Sequence, residues 1–205
     1  MNRKIEIINY YKGISIVGIV FYHLLNLYMN TPQVIKYAAN AGSSGVLVFF
    51  FCSGFVLQYS QTKHQRKFGA FMKKRLITVY IPYIIIVLIC AAIPIIHSNG
   101  NRAIALLSHL LQFRCFSSTY FSSFGGHFWY VSTILQFYLL FIPLFKALQR
   151  LGTRNFFVLC AAVNVIYIIV LAVFHLENSA VLIRLFPKYL IFFSGGMAAS
   201  RPRRR

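Results

Sequence analysis

Acidic residues are almost absent from this chain. It contains 2 Asp and Glu residues against 21 Lys and Arg residues, which gives a formal net charge of +19. So few carboxylates leave no acidic cluster for a metal ion, and the four cysteines show no Cys-x-x-Cys spacing. The sequence therefore offers no recognisable metal site.

Charge of either sign is also scarce. Only 11% of the residues are charged, whereas soluble domains carry about a quarter. Hydrophobic residues reach 59%, aromatic residues 17%, and the mean hydropathy is +0.68. The cations concentrate in short segments between apolar runs, which is typical of the cytoplasmic loops of membrane proteins. Nucleic-acid binding, which this net charge would suggest in a soluble chain, is therefore not expected.

Long apolar runs are what the chain has instead. A membrane-spanning helix needs about 20 mostly apolar residues. Six runs are long enough, roughly 12–30, 43–60, 76–97, 129–149, 155–175 and 180–199. The stretch 103–113 is too short to span, and its helically spaced leucines favour an interfacial or re-entrant helix on the outer face. We therefore predict an all-α fold, a polytopic membrane helix bundle with about six transmembrane helices and this short helix.

The loop between the second and third runs sets the orientation. Its cations are Lys63, Arg66, Lys67, Lys73, Lys74 and Arg75. By the positive-inside rule this loop lies in the cytoplasm, and so do the N-terminus and the basic C-terminus. The outer loops then hold few charged residues, namely Lys36, Arg102, Arg114 and Glu177. We expect an integral protein of the plasma membrane with both termini in the cytoplasm.

Lys12 and His23 form the most informative pair in the sequence. Lys12 lies at the start of the first apolar run, and His23 lies about half way through it. At 1.5 Å per residue, the pair is separated by roughly 16 Å along a helix. An ionisable group at that depth is costly to insert and is by default a functional-site hypothesis. The alternatives are a helix–helix hydrogen bond for His23 and snorkelling to lipid headgroups for Lys12.

Two further candidates lie on the second and third runs. Ser53 and its neighbour Gly54 are small enough to let another helix approach closely. Arg75 at the cytoplasmic end of the third run is either a topogenic charge or a guanidinium fork for a phosphate.

The fourth run supplies three more candidates. Trp129 is typical of an aromatic belt at the outer interface, and Gln136 lies well inside the bilayer, where it needs a polar partner. His127 precedes the belt and either contacts an acceptor or packs at the interface beside Trp129.

Taken together, these segments resemble the membrane acyltransferase-3 family, the multi-span O-acyltransferases that modify cell-surface sugars. The matching residues are Lys12-Gly-Ile with His23, Phe50-Phe51-Cys-Ser53-Gly54-Phe55, Lys74-Arg75-Leu with Pro82-Tyr83, and His127-Phe-Trp129 through Gln136-Phe-Tyr138 to Pro143. Each segment alone is weak, but four in the family's order across residues 1–145 are a strong signal.

The resemblance implies transfer of an acyl group, acetyl in the first instance, from cytoplasmic acyl-CoA to a sugar hydroxyl at the outer face. By that resemblance His23 would be the catalytic base, and Lys12 and Arg75 would bind or orient the donor. The remaining substrate-binding or donor-binding candidates would be Ser53, Trp129, Gln136 and His127. The expected partners are acyl-CoA, a carbohydrate acceptor and membrane lipid, with no nucleic acid. No cofactor or metal is required beyond acyl-CoA as the donor substrate.

We expect one acyltransferase-like domain over residues 1–200 and a basic cytoplasmic tail over 201–205. Members of the family have more spans than the runs found here, and the last residues turn abruptly arginine-rich. A C-terminally shortened domain is therefore expected. A non-catalytic membrane component of polysaccharide export or modification is the alternative function.

Overall fold

The computed structural model describes residues 3–27, 42 and 44–201. It is 81% helical, and no β-strand occurs in those ranges, so the predicted all-α fold is confirmed. Several predictions lie outside the described residues: the end of the first run (28–30), the first residue of the second run (43), Lys36 in an outer loop, and the tail residues 202–205.

The helices follow the apolar runs closely. They are α1 (Arg3–Leu27), α2 (Gly45–His64), α3 (Phe68–Ala92), α4 (Arg102–Leu110), α5 (Trp129–Val173) and α6 (Leu190–Ser200). Within the described ranges, three segments are long and apolar enough to cross a membrane, namely α2, α3 and Gly126–Val173, which contains α5. The short helix predicted near 103–113 is present as α4.

Gly152 interrupts α5 at the boundary between the fourth and fifth runs. Its φ of 76° and ψ of 170° are non-helical, and an L side chain rarely adopts this conformation. The helical stretches before and after Gly152 correspond to the two separate spans that the sequence predicts.

The sixth run differs from a continuous helix of full span length. It begins with two 3₁₀ turns, Leu182–Arg184 and Phe186–Tyr189, and only α6, with 11 residues, is α-helical. Leu185 between the two turns is extended. Pro187 is consistent with this break, because it has no amide N–H to donate to the carbonyl of Ile183 and would crowd that carbonyl in a continuous α-helix. The apolar composition of the run therefore overstates its helical length.

A π-helical stretch, Leu76–Tyr80, lies inside α3. It ends two residues before Pro82, which has no N–H to donate to the carbonyl of Thr78 and would crowd that carbonyl in a regular helix. The Thr78 hydroxyl donates a 2.7 Å hydrogen bond to the Lys74 carbonyl one turn earlier. The wider π-helical turn thus accommodates Pro82 within α3.

The chain divides into two compact units. Unit 1 contains residues 1–64, 151–160 and 191–205, and unit 2 contains residues 65–150 and 161–190. In unit 1, α2 and α6 cross at two glycines. A Cβ at Gly54 would collide with the carbonyl of Phe193, and a Cβ at Gly196 would collide with the carbonyl of Phe51. The close helix approach predicted for Gly54 is therefore confirmed.

In unit 2, Arg102 joins the C-terminal end of α3 to the start of α4. Its guanidinium donates to the carbonyls of Cys90, Ala91, Ile93 and Ile96 over 2.6–3.0 Å. These carbonyls lie at and just beyond the last turn of α3, where no intrahelical donor remains. The Asn101 side chain caps α4 by accepting from the amides of Ala103 and Ile104. Arg102 thus provides donors for carbonyls at the C-terminal end of α3, and Asn101 provides an acceptor for amides at the N-terminal end of α4.

Candidate functional site

Lys12 and His23 lie on one uninterrupted helix, α1. Eleven residues correspond to about three turns of an α-helix, so the two side chains leave the helix in nearly the same direction. Lys12 is half-buried and His23 is exposed. The ring of His23 stands edge-on to the ring of Tyr22, with centroids 5.1 Å apart. A cation and an accessible imidazole therefore share one side of α1.

Close backbone packing holds α1 against α2 inside unit 1. Ser15 is buried and its hydroxyl donates to the Tyr11 carbonyl, while a Cβ at Gly45 would lie 2.9 Å from the Ser15 carbonyl oxygen. Ile8 packs in the same unit with Cys52 and Phe55. Lys12 follows the buried Ile8 by four residues and precedes the buried Ser15 by three, so the three residues share one side of α1. The lysine thus lies on the side of α1 that approaches α2.

Ser53 lies next to the crossing of α2 and α6 and is half-buried. Its neighbours Cys52 and Gly54 are buried, and Gly54 makes the backbone approach to Phe193. The segment around Ser53 therefore has a clear packing role, and a substrate-binding role for Ser53 itself stays a prediction.

Arg75 projects between two aromatic rings of unit 2. Its guanidinium carbon lies 5.6 Å from the ring centre of Phe71 and 5.8 Å from that of Tyr138. Both rings belong to buried residues, and the Arg75 Nε is buried without a hydrogen-bond partner. Aromatic faces attract a guanidinium, and they leave its N–H groups available for an anionic acceptor.

Trp129 and Gln136 both contact the segment that contains the two 3₁₀ turns. The Trp129 ring stacks on Tyr189 with centroids 5.4 Å apart. The Gln136 Oε1 accepts a 3.1 Å hydrogen bond from the Phe186 amide. Between them, the Thr133 hydroxyl donates to the Arg184 carbonyl at 2.6 Å. The polar partner that Gln136 needs is thus a backbone amide, and this face of α5 positions residues 184–189.

His127 is the middle residue of the Gly126–Phe128 turn that leads into α5. Its side chain is exposed, and its ring lies 4.4 Å from the ring of Phe128. The structure thus leaves the imidazole accessible, while a role toward an acceptor stays a prediction.

A buried polar cluster in unit 2 was not predicted from the sequence, which placed His109 in the short interfacial or re-entrant helix and Arg114 in an outer loop. Both side chains are 0% exposed. The His109 Nδ1 accepts a 2.7 Å hydrogen bond from the Tyr83 hydroxyl, and its Nε2 donates to the Ser123 carbonyl at 3.0 Å. Burial, together with the nearby Arg114 charge, lowers the pKa of His109 from 6.5 to about 3. The imidazole is therefore neutral at physiological pH.

Arg114 is held in this cluster without a carboxylate partner. It donates to the carbonyl of Phe121, and its guanidinium carbon lies 5.3 Å from the centre of that ring. Burial is the main cause of a lowered pKa at Arg114. One signal in the sequence bears on the cluster: His109 follows Ala105 by four residues, and both lie on the buried face of α4.

No group of three metal-ligating side chains lies together in the part of the chain that the structure describes. The cations and imidazoles described above are suited to binding anions and moving protons instead.

Comparison with known proteins identifies the family of the chain. The family model of the acyltransferase-3 family, which describes an acyltransferase domain, matches residues 5–205. No curated protein and no solved structure matches the chain significantly. The family match covers nearly the whole chain, and it includes each of the four sequence segments that resemble the family. The chain therefore belongs to the acyltransferase-3 family of membrane proteins.

Proposed function

We propose that the protein is an integral membrane O-acyltransferase that transfers an acyl group, acetyl in the first instance, from cytoplasmic acyl-CoA to a hydroxyl of a surface sugar or polysaccharide. The observation that carries this proposal is the placement of Lys12 and an exposed His23 on one side of the continuous helix α1. In the proposed orientation the protein lies in the plasma membrane, with both termini on the side where acyl-CoA is available.

In the proposed reaction, His23 acts as the general base. Its neutral imidazole takes the proton of the acceptor hydroxyl while the oxygen attacks the thioester carbonyl. The tetrahedral intermediate then collapses, the carbon–sulfur bond breaks, and the CoA thiolate leaves. The imidazolium of His23 returns its proton to that thiolate. The products are the ester and free CoA, and no cofactor takes part.

In this proposal the cations Arg75 and Lys12 bind the acyl-CoA donor. Arg75 is held by the rings of Phe71 and Tyr138 with an unpartnered Nε, so a CoA phosphate would gain a guanidinium that has no competing carboxylate. Lys12 would supply a second positive charge beside α2. We keep Ser53, Trp129, Gln136 and His127 as proposed substrate contacts, because each lies on an element that carries a family motif.

Acyl transfer with purified protein tests this proposal. The protein is incubated with radiolabelled acetyl-CoA and a panel of oligosaccharide acceptors, and label in the acceptor is counted. We expect His23→Ala to lose at least about 100-fold in kcat, because general-base catalysis contributes that much. His64→Ala is the matched control, since His64 is an exposed histidine in the last turn of α2 and lies outside the proposed site.

The outcomes separate the two candidate functions. A His23→Ala protein that transfers label as fast as the parent would refute the catalytic assignment. If the folded parent transfers no label to any acceptor, the non-catalytic role in polysaccharide export or modification is favoured. Lys12→Met should raise KM for acetyl-CoA more than it lowers kcat, because its proposed role is donor binding.

A further inference from the structure

A groove of about 580 Å³ lies in unit 2 between α3, the segment 110–116 and the first half of α5. This volume is within the range of about 300–1,000 Å³ that is typical of small-molecule sites. Nearly all of its wall is apolar, with residues such as Leu76, Leu111 and Leu139 contributing to it. The groove therefore suits a hydrocarbon ligand.

The groove opens beside side chains that are themselves exposed. Leu111 is 66% exposed, Phe116 is 69% exposed and Leu139 is 55% exposed. In a membrane protein, large apolar side chains with such exposure face lipid rather than water. A ligand can thus reach the groove sideways from the bilayer.

Most polar groups in the wall already have partners. The Ser132 hydroxyl donates to the Gln112 Oε1 at 2.8 Å, and the Gln112 Nε2 donates to the His109 carbonyl at 2.8 Å. The Cys115 thiol donates to the Gln112 carbonyl, and the Tyr80 hydroxyl donates to the Leu110 carbonyl. None of these donors requires a ligand.

Gln136 is different. Its Oε1 is fixed by the Phe186 amide, which identifies the other terminal atom as the amide nitrogen. That Nε2 is buried and has no hydrogen-bond partner. A buried donor without a partner is costly, so a ligand that brings one acceptor oxygen would be favoured at this wall.

From these observations we propose that the groove binds one fatty acyl chain of a membrane lipid, with the ester carbonyl of that chain accepting a hydrogen bond from the Gln136 amide. The apolar wall holds the chain, the exposed leucines and Phe116 provide the path from the bilayer, and the single free donor recognises the ester. The site shares Gln136 with the proposed substrate contacts, but lipid labelling of the groove needs neither an acceptor nor acyl transfer.

Photocrosslinking in reconstituted bilayers tests the proposal. The probes are two phosphatidylcholines with a diazirine in the chain, one ester-linked and one ether-linked, and adducts are mapped by mass spectrometry. We expect ester-probe adducts to concentrate on the peptides that contain Leu76 and Leu111, and the ether probe to label them several-fold less. That comparison uses only the parent protein, so it does not depend on the folding of any variant.

Two substitutions and one control variant sharpen the test. Leu139→Trp should fill the groove and reduce these adducts several-fold, whereas Leu159→Trp, at an exposed leucine elsewhere on α5, should leave them unchanged. Gln136→Leu should abolish the preference for the ester over the ether probe. Melting temperatures of the variants confirm that each is folded.

Three results would overturn the proposal. The first is adducts spread evenly over all exposed helix faces with no effect of Leu139→Trp. The second is equal labelling by the ester and ether probes in the parent. The third is displacement of the lipid probe by acyl-CoA of the same chain length, which would assign the groove to the donor instead. The first two results concern lipid binding alone, and the loss of transfer in His23→Ala is measured in a separate assay, so failure of the lipid site and failure of the proposed function are distinguishable.

Discussion

Acidification should destabilise this protein through one buried histidine. The side chain of His109 is 0% exposed and is hydrogen-bonded on both ring nitrogens, accepting from Tyr83 and donating to Ser123. A second proton on the ring would have to displace the Tyr83 hydroxyl from its donor position and would sit near the Arg114 charge. The native structure therefore resists protonation of His109 far below the usual pH.

The direction and the size of the change in native stability with pH follow from proton linkage. The pKa of His109 is about 3 in the folded protein against 6.5 for an ordinary histidine. The unfolded chain thus binds the proton first, and native stability falls as the pH drops from above 6.5 toward 3. At pH 4.5 the loss is about 3 kcal/mol, because that pH lies two pKa units below the pKa of the unfolded chain and each unit corresponds to about 1.36 kcal/mol. For a chain of this size that is roughly 5–10 °C in melting temperature.

The assay compares the parent with His109→Gln in detergent at pH 7 and at pH 4.5, by thermal unfolding. Glutamine keeps one donor and one acceptor but does not titrate in this range. We expect the parent to lose roughly 5–10 °C more than the variant between the two pH values. Equal losses in both proteins would refute the reasoning, because the loss would then come from other groups.

Three further predictions concern packing and helix ends, each measured by thermal unfolding against the parent. Gly54→Ala should cost about 1–3 kcal/mol, because its methyl group would collide with a backbone carbonyl of α6, whereas Gly69→Ala, which has open space, should be neutral or slightly stabilising. Arg102→Ala should cost about 2 kcal/mol by removing the guanidinium donor from four carbonyls, of which only that of Ile93 also accepts from a backbone amide, and Arg102→Lys should recover only part of this. Asn164→Leu should cost about 1 kcal/mol, since the Asn164 amide donates 2.7 Å bonds to two carbonyls of the 3₁₀ turn at Phe186–Tyr189. An unchanged melting temperature for Gly54→Ala, Arg102→Ala or Asn164→Leu would contradict the corresponding contact.

Helix positions could be predicted because apolar runs must satisfy their backbone groups internally in a bilayer. The break at Gly152 was foreseeable as well, since Arg150 and Arg154 flank it and separate two apolar runs. The shortened sixth helix was not foreseen, although Pro187 is visible in the sequence. A hydropathy profile does not register that proline lacks an N–H. A run of residues can therefore be apolar throughout and still depart from the helical conformation.

The motif residues illustrate a second limit. The spacing of Lys12 and His23 in the sequence was enough to predict that they share one side of a helix. The relative direction of two side chains eleven residues apart depends on helix geometry alone. Contacts between residues that are distant in the sequence could not be predicted in this way. The contact of Gln136 with Phe186 spans 50 residues, and the contact of His109 with Tyr83 spans 26. No local sequence pattern specifies such pairings. The sequence therefore predicted that Gln136 needs a polar partner, but it did not predict which residue provides it.

The shortage of acidic residues has a structural consequence for the arginines. With 2 acidic residues in 205, a buried guanidinium can rarely be paired with a carboxylate, and in unit 2 it is surrounded by rings and carbonyls instead. Arg75 and Arg114 lie against the rings of Phe71 and Phe121, and Arg102 lies 5.3 Å from the ring of Phe124 while it donates to four carbonyls. A planar, weakly hydrated cation suits such surroundings, whereas a lysine ammonium is compact and strongly hydrated. The same arrangement leaves the positive charge uncancelled, which is the property that an anionic donor such as acyl-CoA would need at Arg75.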